Sequence, residues 1–516
     1  MAFFQAHIAA ASRPYGTLQI RSRAGYYIVS NQDETILVRL RQRSAYPATF
    51  CQRVNEHAIH LGYGDATGQD RSEFLQITIT DDGTFSMQRD RYAALPIFFM
   101  QSGSTLFLSN EYADVASQSK PVLSKAGLME LLAMDGYISR PIIEGISILQ
   151  EGAGLTFEKG VLRTTMPPAK TWGRSAELPE TDPQAFMSGF NAYLDHFIAT
   201  RLAGQQFAFE VSGGLDSATL PQYLARVYHQ KAPTVSMILP GEYGVSQMQK
   251  LHAIMPSIAS ATYTTLLDPK VHFPLGHMIR SGHIPHYYEK TYAEGSEALL
   301  EQQYRYGTRV IVTGTGGDEM FGNVVDPTAF DDFGAVERER RASKPLAPFL
   351  TSTFRSDYIA ATPEQAVTHS LRPLSVIYSQ LGNNLYIRHD LWPVSPFSDP
   401  ELYEWVQGLP AYLRSNRNIL RAYHQAYGFV ESIYNPIKNE YFDRFFLDCF
   451  KIGCYDTTFA ALLQNSVSVA LGYVDKKKLL ETYEHIKQAT YPAIDDDCFR
   501  IYLWLSAEIN AQCAVS

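Results

Sequence analysis

The sequence predicts an α/β protein in which a β-rich α+β domain precedes a doubly wound parallel sheet with a helical C-terminal part. Three observations predict it. Strand-like and helix-like segments alternate over 200–330, two Gly-rich acidic turns close strands of that stretch, and the texture changes abruptly near residue 170.

Taking the elements in order, the 516 residues exceed what one hydrophobic core ordinarily serves, so two or more domains are expected. Up to about residue 165, runs such as GYYIVS (25–30), FLQITIT (74–80), IFFMQ (97–101) and TLFLSN (105–110) are separated by turn residues such as DDG (81–83). Between Met166 and Asp182, Pro and charge replace periodicity, which marks a linker. The expected domains are therefore 1–170 and 183–516.

The bulk composition narrows the function. With 45% hydrophobic and 19% charged residues the chain reads as soluble and globular. A net charge of −9 argues against a dedicated nucleic-acid binder. No apolar run approaches the ~18 residues of a membrane span. The start MAFFQAHIAAASRP lacks a basic n-region, so no signal peptide is expected. Cys51, Cys449, Cys454, Cys498 and Cys513 form no CxxC pair and no zinc spacing with histidine. Reduced thiols and a cytoplasmic location follow as expectations.

In the second part, 183–202 reads as a helix, QQFAFEV (205–211) as a strand and SATLPQYLARVYHQ (217–230) as a helix. TVSMIL (234–239) and TRVIVTG (308–314) read as further strands. From about 345 the chain reads as mostly helical, with YLRSNRNILRAYHQAY and CFRIYLWLSAEIN as examples, and ERERR (337–341) as a solvated helix face.

The chemistry concentrates in Ser212-Gly213-Gly214-Leu215-Asp216-Ser217, between strand and helix. Two glycines permit a tight turn and close approach to an anion. Serine hydroxyls and N–H groups at the helix start suit phosphate oxygens, and Asp216 suits a magnesium ion bridging them. There is no GK[ST], so this is not a Walker A loop. The residues suit a β,γ-pyrophosphate held as a unit, leaving the α-phosphorus open to attack. A second acid-bearing turn, Thr313-Gly314-Thr315-Gly316-Gly317-Asp318-Glu319, ends the strand RVIVTG. Ligands of open α/β sheets bind outside carboxyl strand ends, so the two turns can close on one nucleotide, with Asp318 as second magnesium ligand.

SGGLDS followed by GTGGDEMFG (314–322) resembles the asparagine synthetase superfamily of ATP pyrophosphatases. Arg89-Asp90 through Pro96-Ile97-Phe98-Phe99, the strand LFLSNE (106–111), Pro396-Phe397-Ser398-Asp399 and Ile419-Leu420-Arg421 resemble further family segments. The resemblance implies an N-terminal Ntn-hydrolase-like, glutaminase-like domain and a synthetase domain that uses ATP and Mg2+ to adenylate a carboxylate, which an amine then captures. It implies nucleotide contacts at Val211, Ser212, Gly213, Gly214, Leu215, Asp216, Ser217, Gly314 and Gly316, with adenine along the strand around Met237 to Leu239. It implies a lysine near the reacting centre, for which Lys438 in NPIKNEYF is the candidate.

Three departures shape the expectation. Glutamine-dependent relatives carry cysteine at residue 2, whereas this chain reads Met1-Ala2-Phe3, so the N-terminal domain is expected to be degenerate. Thr315 stands where asparagine synthetases resemble one another in Glu and β-lactam synthetases in Tyr, and GTGGD is most similar to lasso-peptide cyclases. The C-terminal part is rich in Tyr423, Tyr427, Tyr434, Tyr441, Phe442, Phe445 and Phe446, read mainly as helix core. The leading expectation is macrolactam closure of a ribosomal peptide, with a leader-peptide protease as possible partner. The alternatives are amide synthesis on a small carboxylate, a non-catalytic nucleotide binder, and sulfur or ammonia transfer onto a base, the last disfavoured by the absence of paired catalytic cysteines.

Overall fold

The computed structural model describes residues 4–9, 19–23, 26–30, 35–40, 49–54, 58–64, 75–80, 83–89, 95–118, 120–133, 141–166, 183–281, 291–321, 333–362, 382–436, 443–489 and 495–515. The expected linker after Met166, Lys438, Tyr441, Phe442 and Met1–Phe3 lie outside these residues.

The first part is a pair of antiparallel sheets of seven and six strands. Strand Phe85–Arg89 alternates buried and open positions, the period-2 signature of a half-buried strand. The alternate residues Ile8, Phe99, Leu106 and Leu108 of one sheet meet Ile77, Ile79, Phe85, Met87, Leu155 and Phe157 of the other in one apolar cluster. Sheet faces that bury this way stabilise each other by ~25 cal/mol per Å2 of apolar surface removed from water.

The second part is built on a five-stranded sheet in the order Ala259–Leu266, Ala232–Ile238, Phe207–Glu210, Val310–Val312, Trp392–Val394, every pair parallel. The chain lays down the central strand first, adds two on one side, then two on the other. Phe209, Val310 and Val312 face one cluster with helices Pro183–Phe197, Leu215–Val227 and Gly241–Ile258. Ala208 and Ile311 face the opposite one with Leu300, Leu385, Tyr386 and Leu391. Helices therefore cover both faces, as a doubly wound sheet requires. The edge strands Ala259–Leu266 and Trp392–Val394 have no clear apolar alternation and escape sequence reading.

C-terminal helices Asp443–Lys451, Asp456–Gln464, Lys476–Gln488 and Asp495–Val515 enclose Phe459, Tyr483 and Trp504. Helix Lys125–Leu132 of the first part inserts Leu128, Leu131 and Leu132 into the same cluster. Tyr423, Phe445 and Phe446 are buried, as expected of helix-core aromatics.

Two readings are corrected. The ERERR segment is a solvated face only in part: in helix Phe333–Ser343, Arg338 and Glu339 are exposed, but Glu337 and Arg341 are buried. Arg341 donates to Glu337 (2.9 Å), to Glu130 of helix Lys125–Leu132 (3.3 Å) and to the Tyr358 carbonyl (3.0 Å). The run YLRSNRNILRAYHQAY is not one helix. Asn416 (φ 53°) and Arg417 (φ 55°) adopt left-handed conformations that separate Ala411–Arg414 from Asn418–Ala426. Such conformations cost an ordinary residue about 1 kcal/mol or more and persist where surrounding contacts hold them.

Candidate active site

Both Gly-rich turns emerge at carboxyl strand ends, SGGLDS from Phe207–Glu210 and TGTGGDE from Val310–Val312. These strands are neighbours, and the connectivity runs outward in opposite directions from them. The turns thus flank the switch point where an open α/β sheet leaves a crevice.

The first turn is organised by its serines. Ser217 Oγ accepts from the Ser212 N–H (3.2 Å), and Ser212 Oγ accepts from the Gly214 N–H (3.2 Å). No side chain caps helix Leu215–Val227 at Gly214, so its first-turn N–H groups remain for an anion. The second turn packs directly on the first. A Cβ on Gly314 would sit 2.7 Å from the Ser217 backbone nitrogen, and one on Gly317 would sit 2.3 Å from Asp216 Cγ. Glycine is required here because the turns touch. Gly317→Ala is therefore expected to displace the Asp216 carboxyl and cut nucleotide affinity about tenfold or more, measured by calorimetry on a folded variant.

The Pro396–Ser398 segment holds the second turn from behind. Ser395 Oγ and Ser398 Oγ donate to the Thr315 carbonyl (2.6 and 2.9 Å), and the Thr315 hydroxyl accepts from Thr313 (3.1 Å). Asp399 caps the next helix, Pro400–Gln407, by accepting from the Glu401 N–H (2.8 Å).

A cleft of about 600 Å3 opens between the turns. It is lined by Ser212, Gly213, Gly214, Leu215, Asp216 and Ser217 from the first turn and by Thr313 to Glu319 from the second. Of the expected contacts, Val211 is buried beneath the cleft, donating to the Val235 carbonyl (2.9 Å). Met237 and Leu239 are not brought into the cleft. The Met237 carbonyl and the Leu239 N–H are both engaged by Gln247 (2.8 and 3.0 Å), which also donates to the Ser212 carbonyl (2.9 Å). Gln247 thereby fixes the neighbouring strand end to the first turn.

The site also contains residues that sequence reasoning missed. Arg417, from the helix break, reaches Asp216 Oδ2 (2.7 Å) and Asp318 Oδ1 (2.6 Å). Arg421, read only as part of a helix motif, also lines the cleft, and burial lowers its pKa. Glu210 and Lys250 line it too. Glu210 accepts a hydrogen bond from Tyr386, whose hydroxyl burial pushes far above its ordinary pKa. A carboxylate ending an otherwise apolar central strand was the one available signal.

Burial pushes Asp216 up to about 7, ahead of the opposing pull of Arg417, and Asp318 and Glu319 add to the rise. Burial raises Glu319 as well. Asp216 Oδ1 is buried with no hydrogen-bond partner, the mark of an oxygen awaiting a ligand. Among the described residues no three His, Cys, Asp or Glu side chains form a metal cluster. The residues fit a magnesium ion held by Asp216 and Asp318 with the remaining ligands from phosphate and water, which is how magnesium binds at phosphate sites.

No protein-family model and no curated protein matches the chain. Among solved structures, NMN synthetase from Francisella tularensis is similar over 50% of this chain and 98% of its own, at 12% identity and a TM-score of 0.21. NAD+ synthetase from Burkholderia pseudomallei is similar over 49% and 99%, at 17% identity and a TM-score of 0.18. An α-N-acetylgalactosaminidase from Bifidobacterium bifidum covers 58% of each chain at 12% identity and a TM-score of 0.12. At TM-scores this low these likenesses carry no argument, and the reading of the site stands on its own geometry.

Proposed function

We propose that this chain is an ATP-dependent carbon–nitrogen ligase that activates a carboxylate as its adenylate, releases pyrophosphate and lets an amine form the amide. The observation that carries the reading is the contact of two Gly-rich, acid-bearing turns across the switch point of a parallel sheet. That arrangement offers serine hydroxyls, helix N–H groups and a cation site to a pyrophosphate, and leaves the α-phosphorus accessible. When bound, magnesium supplies neutralisation of the phosphate charge. Ser212, Ser217 and the N–H groups of the first helical turn bind the departing pyrophosphate. Arg417 and Arg421 add positive charge where negative charge develops. Lys438 remains the candidate cation at the acyl carbon.

In its finer form the substrate is a ribosomal peptide whose Asp or Glu side chain is adenylated and whose own N-terminal amine attacks. Holding both ends in one cleft makes that attack effectively unimolecular. In this form the N-terminal pair of sheets is a degenerate glutaminase-like scaffold. It bears on the synthetase part through Glu111 on Arg388 (2.7 Å) and Asn110 on Asn384 (3.1 Å).

The test is AMP and pyrophosphate release from ATP and magnesium, first with aspartate plus ammonium. A peptide with a free N-terminal amine and an internal glutamate is the second substrate. Release with asparagine formed selects the small-carboxylate reading, and release with a cyclised peptide selects the macrolactam. Absence of ATP binding by calorimetry overturns the proposal altogether.

A further inference from the structure

We propose that Arg417 is an internal cation that makes metal binding conditional on nucleotide: in the empty cleft its guanidinium holds the position between Asp216 and Asp318 that a divalent cation takes when phosphate arrives. The inference deepens the nucleotide reading and rests on it for the identity of the two carboxylates as cation ligands.

The geometry supplies the argument. One nitrogen, Arg417 Nη1, lies 2.7 Å from Asp216 Oδ2 and 2.6 Å from Asp318 Oδ1, so a single positive centre bridges two carboxylates that come from different turns. A bridging point shared by two carboxylates is where a divalent ion would be sought. Asp216 Oδ1 is left buried and unsatisfied, so the guanidinium occupies the site without completing it. Arg417 is 27% exposed and follows the break at Asn416, so its side chain has a solvent side toward which to withdraw.

Charge balance explains why nucleotide would drive the exchange. Two carboxylates alone bind magnesium poorly, since that ion sheds water reluctantly and draws its other ligands from substrate phosphates. With phosphate present, the guanidinium can leave the carboxylates for phosphate oxygens, its geometrically matched partners. Each carboxylate exchanges an arginine for a metal, and each charge keeps a counter-charge. Without phosphate, a withdrawn guanidinium has no phosphate to receive it and the metal lacks its phosphate ligands, so the arginine stays on the acids. Arg417 thus acts as a positioning residue that keeps the turns together in the empty state and prevents idle metal loading.

The experiment measures Mn2+ binding to the full chain without nucleotide, by electron paramagnetic resonance. Arg417→Gln, which keeps a polar side chain but loses the charge, is expected to bind Mn2+ at least about tenfold more tightly than the unmodified chain. Arg417→Gln combined with Asp216→Asn is expected to lose that gain. Arg417→Lys, whose ammonium keeps the charge but ends one atom short of the place of Nη1, is expected to fall between and serves if the glutamine variant does not fold. Equal Mn2+ affinity in the unmodified chain and whichever folded Arg417 variant is measured overturns the proposal. A non-hydrolysable ATP analogue with magnesium, titrated into the unmodified chain, tests the nucleotide reading separately. Failure there removes that reading. Normal analogue binding with unchanged Mn2+ affinity removes only the role of Arg417.

Discussion

Asp216→Ala is expected to lower ATP-dependent pyrophosphate release by about 100-fold or more while leaving the fold intact. The substitution removes one of the two carboxylates that converge on the cleft, and the loss of one charge-stabilising group at such a site ordinarily costs 10²–10³ in rate, roughly. The fold should survive because Arg417 retains Asp318 at 2.6 Å and the turns keep their glycine contacts. Circular dichroism and a thermal scan check the fold, and a coupled pyrophosphate assay checks the rate. Undiminished release in this variant would remove the cleft from the chemistry. Asp216→Asn separates charge from shape. Because burial pushes Asp216 up to about 7, a proton competes with any cation at this carboxylate below that pH. Magnesium-dependent nucleotide binding should strengthen as pH rises through about 7, and this rise should flatten in Asp216→Asn. The sign for stability is opposite. A carboxyl with a raised folded pKa favours the folded state at low pH, and that contribution is lost as pH rises through about 7.

Arg341→Ala is expected to destabilise the chain by about 3–5 kcal/mol, read as a lower urea midpoint. Arg341 is 1% exposed and joins Glu130 of the first part to Glu337 of the second, with its guanidinium 4.5 Å over the Tyr358 ring. Removing it leaves Glu130, itself 1% exposed, buried without this guanidinium. Arg341→Met with Glu130→Leu should recover most of the loss, because the buried Glu130 charge goes together with the guanidinium while Glu337 keeps Arg340 (2.6 Å). A midpoint unchanged in Arg341→Ala would mean that the pair contributes nothing to docking helix Lys125–Leu132.

Arg341 also shows where sequence reading stops. ERERR carries the composition of a solvated face, and nothing within helix Phe333–Ser343 reveals that Glu130, 211 residues earlier, closes over it. The same holds for Arg417. Its stretch reads as a continuous helix, because local periodicity continues through Asn416. The break is stabilised by two carboxylates from turns about 100 and 200 residues upstream, a term that local propensity does not contain. Met237 and Leu239, which do not line the cleft between the turns, meet the same limit. An apolar strand end beside a cleft looks the same whether its backbone faces a ligand or, as here, is engaged by Gln247.

What the sequence determined by itself is the local chemistry: alternating strands in the first part, strand–turn–helix around SGGLDS, and glycine wherever the two turns meet. These are dictated by φ/ψ preference, period and side-chain size, all properties of neighbouring residues. The tertiary structure alone decided the order of the parallel strands, the direct packing of one turn on the other, and the arrival of Arg417, Arg421, Glu210 and Lys250 in one cleft. Those outcomes depend on which buried surfaces find each other across long sequence separations, and no window of the chain carries that information.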